Sequence, residues 1–123
     1  MIVGTGIDAV KISRMEKWAS DPALLDRYFN PRELETVRER GKSMVSSLAA
    51  RFAAKEAFGK ALGTGLAGIA LKEIMVLNSP DKRPSLYLEG SALAAMKTAG
   101  AEHVHVSLCH EGDLALASVI LEA

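Results

Sequence analysis

The stretch Met44–Leu62, MVSSLAARFAAKEAFGKAL, decides the fold of this chain, because it predicts one long helix against which the other elements pack. It is rich in Ala, Leu, Lys, Glu and Arg, the residues with high helix propensity. Gly63 follows directly and predicts a C-terminal cap, since glycine readily adopts the left-handed conformation that ends many helices.

Before this helix, Met1–Val10 predicts a short apolar strand, in which Gly4 and Gly6 allow another backbone to approach closely. One or two helical turns are expected at Ile12–Trp18, and a further helix begins at Asp21-Pro22. Asn30-Pro31-Arg32-Glu33 is a strong start signal: Asn caps, Pro takes the first helical position and Glu supplies the reciprocal cap. We expect that helix to end at Gly41.

After the long helix, strands at 73–78 and 85–89 flank a proline-rich turn and predict a hairpin. A short helix at 91–99 is expected to be capped by Ser91. Alternating apolar residues predict strands at 103–110 and 114–121. Helices in the first half and antiparallel hairpins in the second indicate the α+β class, in one domain spanning 1–123.

Composition excludes several classes of function. Fifteen basic and fifteen acidic residues cancel, which argues against a nucleic-acid-binding protein. No stretch approaches the roughly 20 apolar residues that a membrane span needs, and the first residues do not resemble a signal peptide. The single cysteine, Cys109, indicates a reducing compartment, so we expect a cytoplasmic protein.

The first candidate for chemistry is Asp8, a carboxylate within an otherwise apolar strand. Burial of a lone carboxylate is costly, so Asp8 should find a cation or hydrogen-bond donors. The alternative is that it lies at the end of the strand and caps the next helix.

The second candidate is the helix segment Arg51–Lys60. Residues four apart share a helix face, so one stripe carries Phe52, Glu56 and Lys60 while Arg51 and Lys55 lie on the next. Glu56 stands where an amphipathic helix would place a core residue, which suggests a buried or cleft-facing carboxylate. The alternative is an ordinary surface pair between Glu56 and Lys60.

The third candidate is His110, at the end of a strand. A histidine there can bind phosphate or transfer a proton, or it can simply be exposed. His103 and His105 have no further ligands nearby for a zinc site, and Cys109 shows no activating pattern, so these three are expected to be structural.

Together these segments closely resemble the holo-acyl-carrier-protein synthases, the short members of the phosphopantetheinyl transferase superfamily. The resemblance rests on Gly6-Ile7-Asp8, on the block from Arg51 to Gly65 and on His105–His110, and it covers essentially the whole chain. The positions that match the superfamily signature are Gly6, Asp8, Phe52, Lys55, Glu56 and Lys60. One departure is Cys109, where relatives often carry a hydroxyl residue.

The resemblance implies a magnesium-dependent transferase of fatty acid biosynthesis. It implies coenzyme A as donor, apo-acyl carrier protein as acceptor and adenosine 3′,5′-bisphosphate as product. It also implies a homotrimer with active sites in the clefts between neighbours. Asp8 and Glu56 become the Mg²⁺ ligands, in keeping with the preference of Mg²⁺ for one or two carboxylates.

The resemblance assigns the remaining site residues as follows. Lys60 would bind the pyrophosphate and completes the catalytic set with Asp8 and Glu56, and either Glu56 or a metal-bound water would take the proton of the attacking serine. Candidates for the rest of coenzyme A are Arg51, Lys55, the loop Gly63-Thr64-Gly65, Pro84 and His110. Arg14 would dock the acidic carrier.

Two other functions use the same residues. A metal-dependent phosphodiesterase or coenzyme A pyrophosphatase would use the Asp8–Glu56 site with water as nucleophile. A coenzyme A-binding module without transfer activity would keep only the fold, although no structural need explains Asp8, Glu56 and Lys60 together.

Overall fold

The computed structural model describes residues 1–123. It contains five strands and five α-helices, with short 3₁₀ turns at Ile12–Met15, Gly41–Ser43 and Leu71–Glu73. In chain order the elements are β1 (Ile2–Lys11), α1 (Glu16–Ala19), α2 (Pro22–Tyr28), α3 (Pro31–Arg38), α4 (Met44–Leu62), β2 (Ile74–Asn78), β3 (Pro84–Leu88), α5 (Gly90–Thr98), β4 (His103–Glu111) and β5 (Leu114–Glu122). The α+β class and the bounds of the long helix are confirmed.

The strands form two antiparallel sheets, one with the order β1-β5-β4 and one made of β2 and β3. The first strand of the chain therefore pairs with the last, and Asp8 lies opposite Ala117. Alternate residues of β5, Ala115 to Leu121, are buried against α4, while the intervening side chains face outward. The core lies between this sheet and α4.

Glycines bring β1 unusually close to α4. A Cβ atom at Gly4 would overlap the carbonyl oxygen of Ala61, and one at Gly6 would overlap that of Ala57. Only glycine leaves room for this approach. The close approach predicted for these two glycines is therefore confirmed, and it brings the next residues of β1, including Asp8, against the helix.

The start of α3 agrees with the prediction, but its end does not. The Asn30 side chain accepts the Arg32 N–H, and the Glu33 carboxylate accepts the Asn30 N–H, which completes the capping box. The α-helix ends at Arg38 rather than Gly41, because a 3₁₀ turn at Gly41–Ser43 leads directly into α4.

The predicted cap of α5 is wrong. Ser91 lies inside the helix, and its N–H and hydroxyl both donate to Oε1 of Glu73. A Cβ atom at Gly90, whose φ is +53°, would overlap that carboxylate. The carboxylate that stabilises this helix terminus thus comes from a distant part of the chain, which local sequence signals do not reveal.

No helix combines the length and the apolar character needed to cross a membrane.

Candidate active site

Asp8 and Lys60 meet where β1 crosses α4. The Lys60 ammonium donates to Oδ1 of Asp8 at 2.8 Å and to the carbonyl oxygen of Ile7 at 3.0 Å. The Asp8 side chain is 18% exposed and that of Lys60 is 54% exposed. A mostly buried carboxylate is thus covered by an ammonium that reaches solvent, and Asp8 does not act as the cap of a following helix.

Glu56 lies one helical turn before Lys60, on the same stripe of α4. It is half-buried and takes part in no ion pair. The alternative of a Glu56–Lys60 surface pair is therefore wrong, because Lys60 turns to Asp8 instead. Glu56 leaves a carboxylate available for a ligand from outside the chain.

The donor set suits a hard divalent cation. Asp8 and Glu56 would offer carboxylate oxygens from two rigid elements, and Mg²⁺ commonly takes only one or two protein carboxylates. The chain has no group of three or more His, Cys, Asp and Glu side chains that could hold a metal by themselves. A cation here would need water or substrate oxygens to complete its coordination.

A second cluster lines a cavity of about 370 Å³ beside the first half of α4. The cavity brings together Arg51, Pro84 and His110, three of the residues expected to bind coenzyme A. Its lining also includes two cationic residues that the sequence analysis missed, Arg40 and Lys82, and no acidic residue. Such a cavity favours an anion.

Arg51 is the buried member of this cluster, with 4% of its surface exposed. Its Nη1 donates to the hydroxyl of Ser47, but its Nε has no partner. Burial lowers the pKa of Arg51, an effect that Glu33 opposes and Arg40 reinforces. A desolvated guanidinium with an unused donor is stabilised by a bound anion.

Lys55 lies elsewhere, contrary to our expectation. Its ammonium is fully buried, 2.7 Å from Oε1 of Glu33, and it also donates to the carbonyl oxygens of Leu71, at 2.9 Å, and Ile74. Burial lowers the pKa of Lys55, and the charge of Glu33 opposes that shift. All three donors are used inside the protein, so the structure brings Lys55 to neither cluster.

Glu33 is the partner that sequence reasoning missed. Its Oε1 accepts the Asn30 N–H and the Lys55 ammonium, while its Oε2 accepts the Val76 N–H at 3.0 Å. The capping pattern had already explained this residue, so no local signal pointed to a second role. The carboxylate ties α3, α4 and β2 together.

The loop Gly63-Thr64-Gly65 also differs from the expectation. The Gly63 N–H donates to Lys60 O and the Gly65 N–H to Gly59 O, each at 3.0 Å. Both donors therefore close the end of α4, with positive φ at both glycines. They are not left free to bind an anion, and the loop does not line the cationic cavity.

Arg14 is exposed on the 3₁₀ turn after β1. Its guanidinium lies 5.6 Å from the centre of the Phe52 ring, against which Trp18 also packs. Phe52 stands one turn before Glu56, so Arg14 lies along the same stripe of α4 as the candidate catalytic residues. The neighbouring Lys17 is exposed as well.

The chain is similar in sequence to known proteins over nearly its whole length. A sequence model of the 4′-phosphopantetheinyl transferase superfamily matches residues 4–118. The holo-[acyl-carrier-protein] synthase of Treponema denticola is 57% identical over 122 residues, and the alignment covers 99% of both chains. That of Trichlorobacter lovleyi is 52% identical over 126 residues, covering 100% of this chain and 99% of the relative.

Solved structures are similar over the full length. The holo-[acyl-carrier-protein] synthase of Neisseria meningitidis has a TM-score of 0.87 at 35% identity and covers 100% of both chains. That of Bacillus anthracis, solved in complex with CoA (3′,5′-ADP), has a TM-score of 0.82 at 32% identity, covering 100% of this chain and 98% of its own.

Proposed function

The chain belongs to the 4′-phosphopantetheinyl transferase superfamily, and from this premise we propose that it is a holo-acyl-carrier-protein synthase. It transfers 4′-phosphopantetheine from coenzyme A to a serine of apo-acyl carrier protein and releases adenosine 3′,5′-bisphosphate. The observation that carries the proposal is the convergence of Asp8 from β1 with Lys60 from α4, one turn from Glu56.

Asp8 and Glu56 would hold the Mg²⁺ ion. The ion would supply positive charge to the phosphoanhydride as it breaks. Lys60, whose side chain is 54% exposed, binds the same pyrophosphate and stabilises its developing charge. Glu56, which takes part in no ion pair within the chain, would accept the proton of the serine hydroxyl as it attacks.

The cationic cavity receives the nucleotide half of coenzyme A. Arg51 and His110, which both line this cavity, contact its phosphates. Pro84 lines the wall beside the nucleotide. Lys55 and the two glycines of the loop at 63–65 do not bind coenzyme A, since their donors are used within the chain.

The two clusters point to a shared active site. On a helix with 3.6 residues per turn, Arg51 and Glu56 project about 140° apart, and the cavity lined by Arg51 does not include Asp8, Glu56 or Lys60. One coenzyme A molecule could use both clusters if they came from neighbouring copies. This supports the homotrimer that the family resemblance implies.

The outer face of the three-stranded sheet offers a surface for that assembly. Ile7 is 63% exposed and Leu114 is 42% exposed, and the half-buried Leu116 and Ile120 lie on the same face. Apolar patches of this kind usually mark contacts between chains. Light scattering should give a mass of three chains, whereas a fully active monomer would exclude the shared site.

Arg14 and its basic neighbours would dock the acidic carrier protein by charge complementarity. The reaction supplies holo-carrier protein to fatty acid biosynthesis, and we propose a cytoplasmic location for it.

Intact-mass spectrometry of the carrier tests the function directly. The protein is incubated with coenzyme A, Mg²⁺ and apo-acyl carrier protein, and the carrier should gain one phosphopantetheine group. Cleavage of coenzyme A without a gain in carrier mass would instead identify a pyrophosphatase. Binding of coenzyme A without either product would identify an inactive binding module.

A further inference from the structure

The Lys60 ammonium contacts the carboxylate that the cation needs. It lies 2.8 Å from Oδ1 of Asp8 and is held there by a second hydrogen bond to Ile7 O. A carboxylate oxygen that accepts an ammonium at this distance is already neutralised. A divalent cation approaching Asp8 would meet a like charge on Lys60.

We propose that the Lys60 ammonium pairs with two anions in turn. It neutralises Asp8 in the free enzyme and moves to the pyrophosphate when coenzyme A binds, which releases Asp8 to the cation. The inference rests on the proposed function, and it adds that the enzyme binds the cation weakly until coenzyme A is present.

The side chain is suited to such a movement. Lys60 is 54% exposed and is joined to the fixed helix by a flexible four-carbon chain, and pairs exposed to this degree are weak. Its ammonium can therefore leave Asp8 without disturbing α4. The buried ammonium of Lys55 could not do so, because each of its donors has an acceptor inside the protein.

The consequence is a coupling between two ligands. If coenzyme A draws Lys60 away from Asp8, coenzyme A strengthens cation binding, and by linkage the cation strengthens coenzyme A binding by the same factor. Removal of the Lys60 charge should then tighten cation binding to the free enzyme. If Lys60 only supported the cation site, removal of its charge would weaken cation binding or leave it unchanged.

The test measures binding of Mn²⁺, through the electron paramagnetic resonance signal of the free ion, with and without coenzyme A. Lys60→Met and Lys60→Gln should bind Mn²⁺ alone about fivefold or more tightly than the original chain, the lower end of typical coupling. Both variants should lose most of the gain that coenzyme A produces. Lys97→Met, which removes one exposed charge from α5, controls for net charge and should leave Mn²⁺ affinity nearly unchanged.

Unchanged or weaker Mn²⁺ binding in both Lys60 variants overturns the inference. The proposed function still holds after such a result, provided that the original chain binds Mn²⁺ in the presence of coenzyme A and transfers phosphopantetheine. If neither the original chain nor Asp8→Asn binds Mn²⁺ under any condition, the metal assignment itself is wrong and the inference fails with it. If Lys97→Met increased the Mn²⁺ affinity by the same factor, net charge alone would explain the effect, and the inference would be overturned.

Discussion

Helix α4 carries two ion pairs that look alike in distance and differ in surroundings. Lys55 lies 2.7 Å from Glu33 and Lys60 lies 2.8 Å from Asp8. The first pair has no exposed surface, whereas the side chains of the second are 54% and 18% exposed. Burial, rather than distance, separates a pair that fixes the fold from one that can exchange partners.

The difference follows from the cost of removing charge from water. Breaking a buried pair leaves an uncompensated charge in the interior, which is strongly destabilising. An exposed pair contributes little to stability, because water can replace either partner. Substitutions of buried groups should therefore have larger effects on stability than substitutions of exposed ones.

Lys55→Met should cause the largest loss of stability, about 3–5 kcal/mol, because it leaves the Glu33 carboxylate buried without a counter-charge. Urea unfolding at fixed protein concentration measures it. The double variant Glu33→Gln/Lys55→Met should recover much of the loss, and Lys72→Met, at an exposed lysine, should change little. A loss below about 1 kcal/mol for Lys55→Met would remove the distinction between the two pairs.

Glu56→Gln should abolish transfer, with a loss of at least about 10²–10³-fold, the typical effect of removing one group that stabilises a transition state. Its unfolding curve and its mass by light scattering should be unchanged, since Glu56 takes part in no ion pair. Steady-state turnover measures the effect, with Glu35→Gln on the exposed face of α3 as control. Near-normal turnover would show that Glu56 is not a metal ligand.

Gly6→Ala should cost about 1–3 kcal/mol, as expected for overpacking, because the added methyl group meets the Ala57 carbonyl. Separating β1 from α4 also displaces Asp8 from Lys60, so activity should fall as well. Urea unfolding and turnover are both needed. Thr5→Ala, an exposed neighbour on β1, should leave both within error, and equal effects of the two substitutions would contradict the close contact.

Arg14→Glu should raise the apparent KM for the carrier about tenfold, or roughly 1.4 kcal/mol, while the KM for coenzyme A and the stability stay nearly constant. Arg14 is exposed, so its charge can act on an approaching acidic partner. The effect should shrink at high salt. An unchanged KM for the carrier would place docking elsewhere.

The smallest effect concerns an exposed carboxylate, Asp113. Hydrogen bonds from the hydroxyl and the N–H of Ser13 lower the pKa of Asp113. Because the folded pKa is below the unfolded one, this contact stabilises the fold above the usual carboxylate pKa, and the benefit is lost as pH falls through the lowered value. Carboxyl NMR titration should show that Ser13→Ala raises the pKa of Asp113; an unchanged value would contradict the assigned cause.

Local signals predicted much of the fold. Composition and Gly63 gave the bounds of α4, and Asn30 with Glu33 gave the start of α3, because caps and propensities act over a few residues. The cap at Ser91 was predicted wrongly because the stabilising carboxylate, Glu73, lies 18 residues away.

The candidate site was predicted in type but not in arrangement. Periodicity placed Phe52, Glu56 and Lys60 on one stripe of α4, but it could not say which stripe faces β1 and which faces α3. For that reason Lys55 was expected at a phosphate and was found in the interior, and the cavity residues Arg40 and Lys82 were missed.

The sequence by itself determined the α+β class, the long helix, the close backbone approach at the two glycines of β1, and the family. Each of these depends on local propensity or on residues at fixed spacing. Only the tertiary structure decided that β1 pairs with β5, that Lys60 binds Asp8 and that Lys55 is buried with Glu33. These contacts join residues far apart in the chain, and the charge of a lysine has a different consequence in water and in a closed interior.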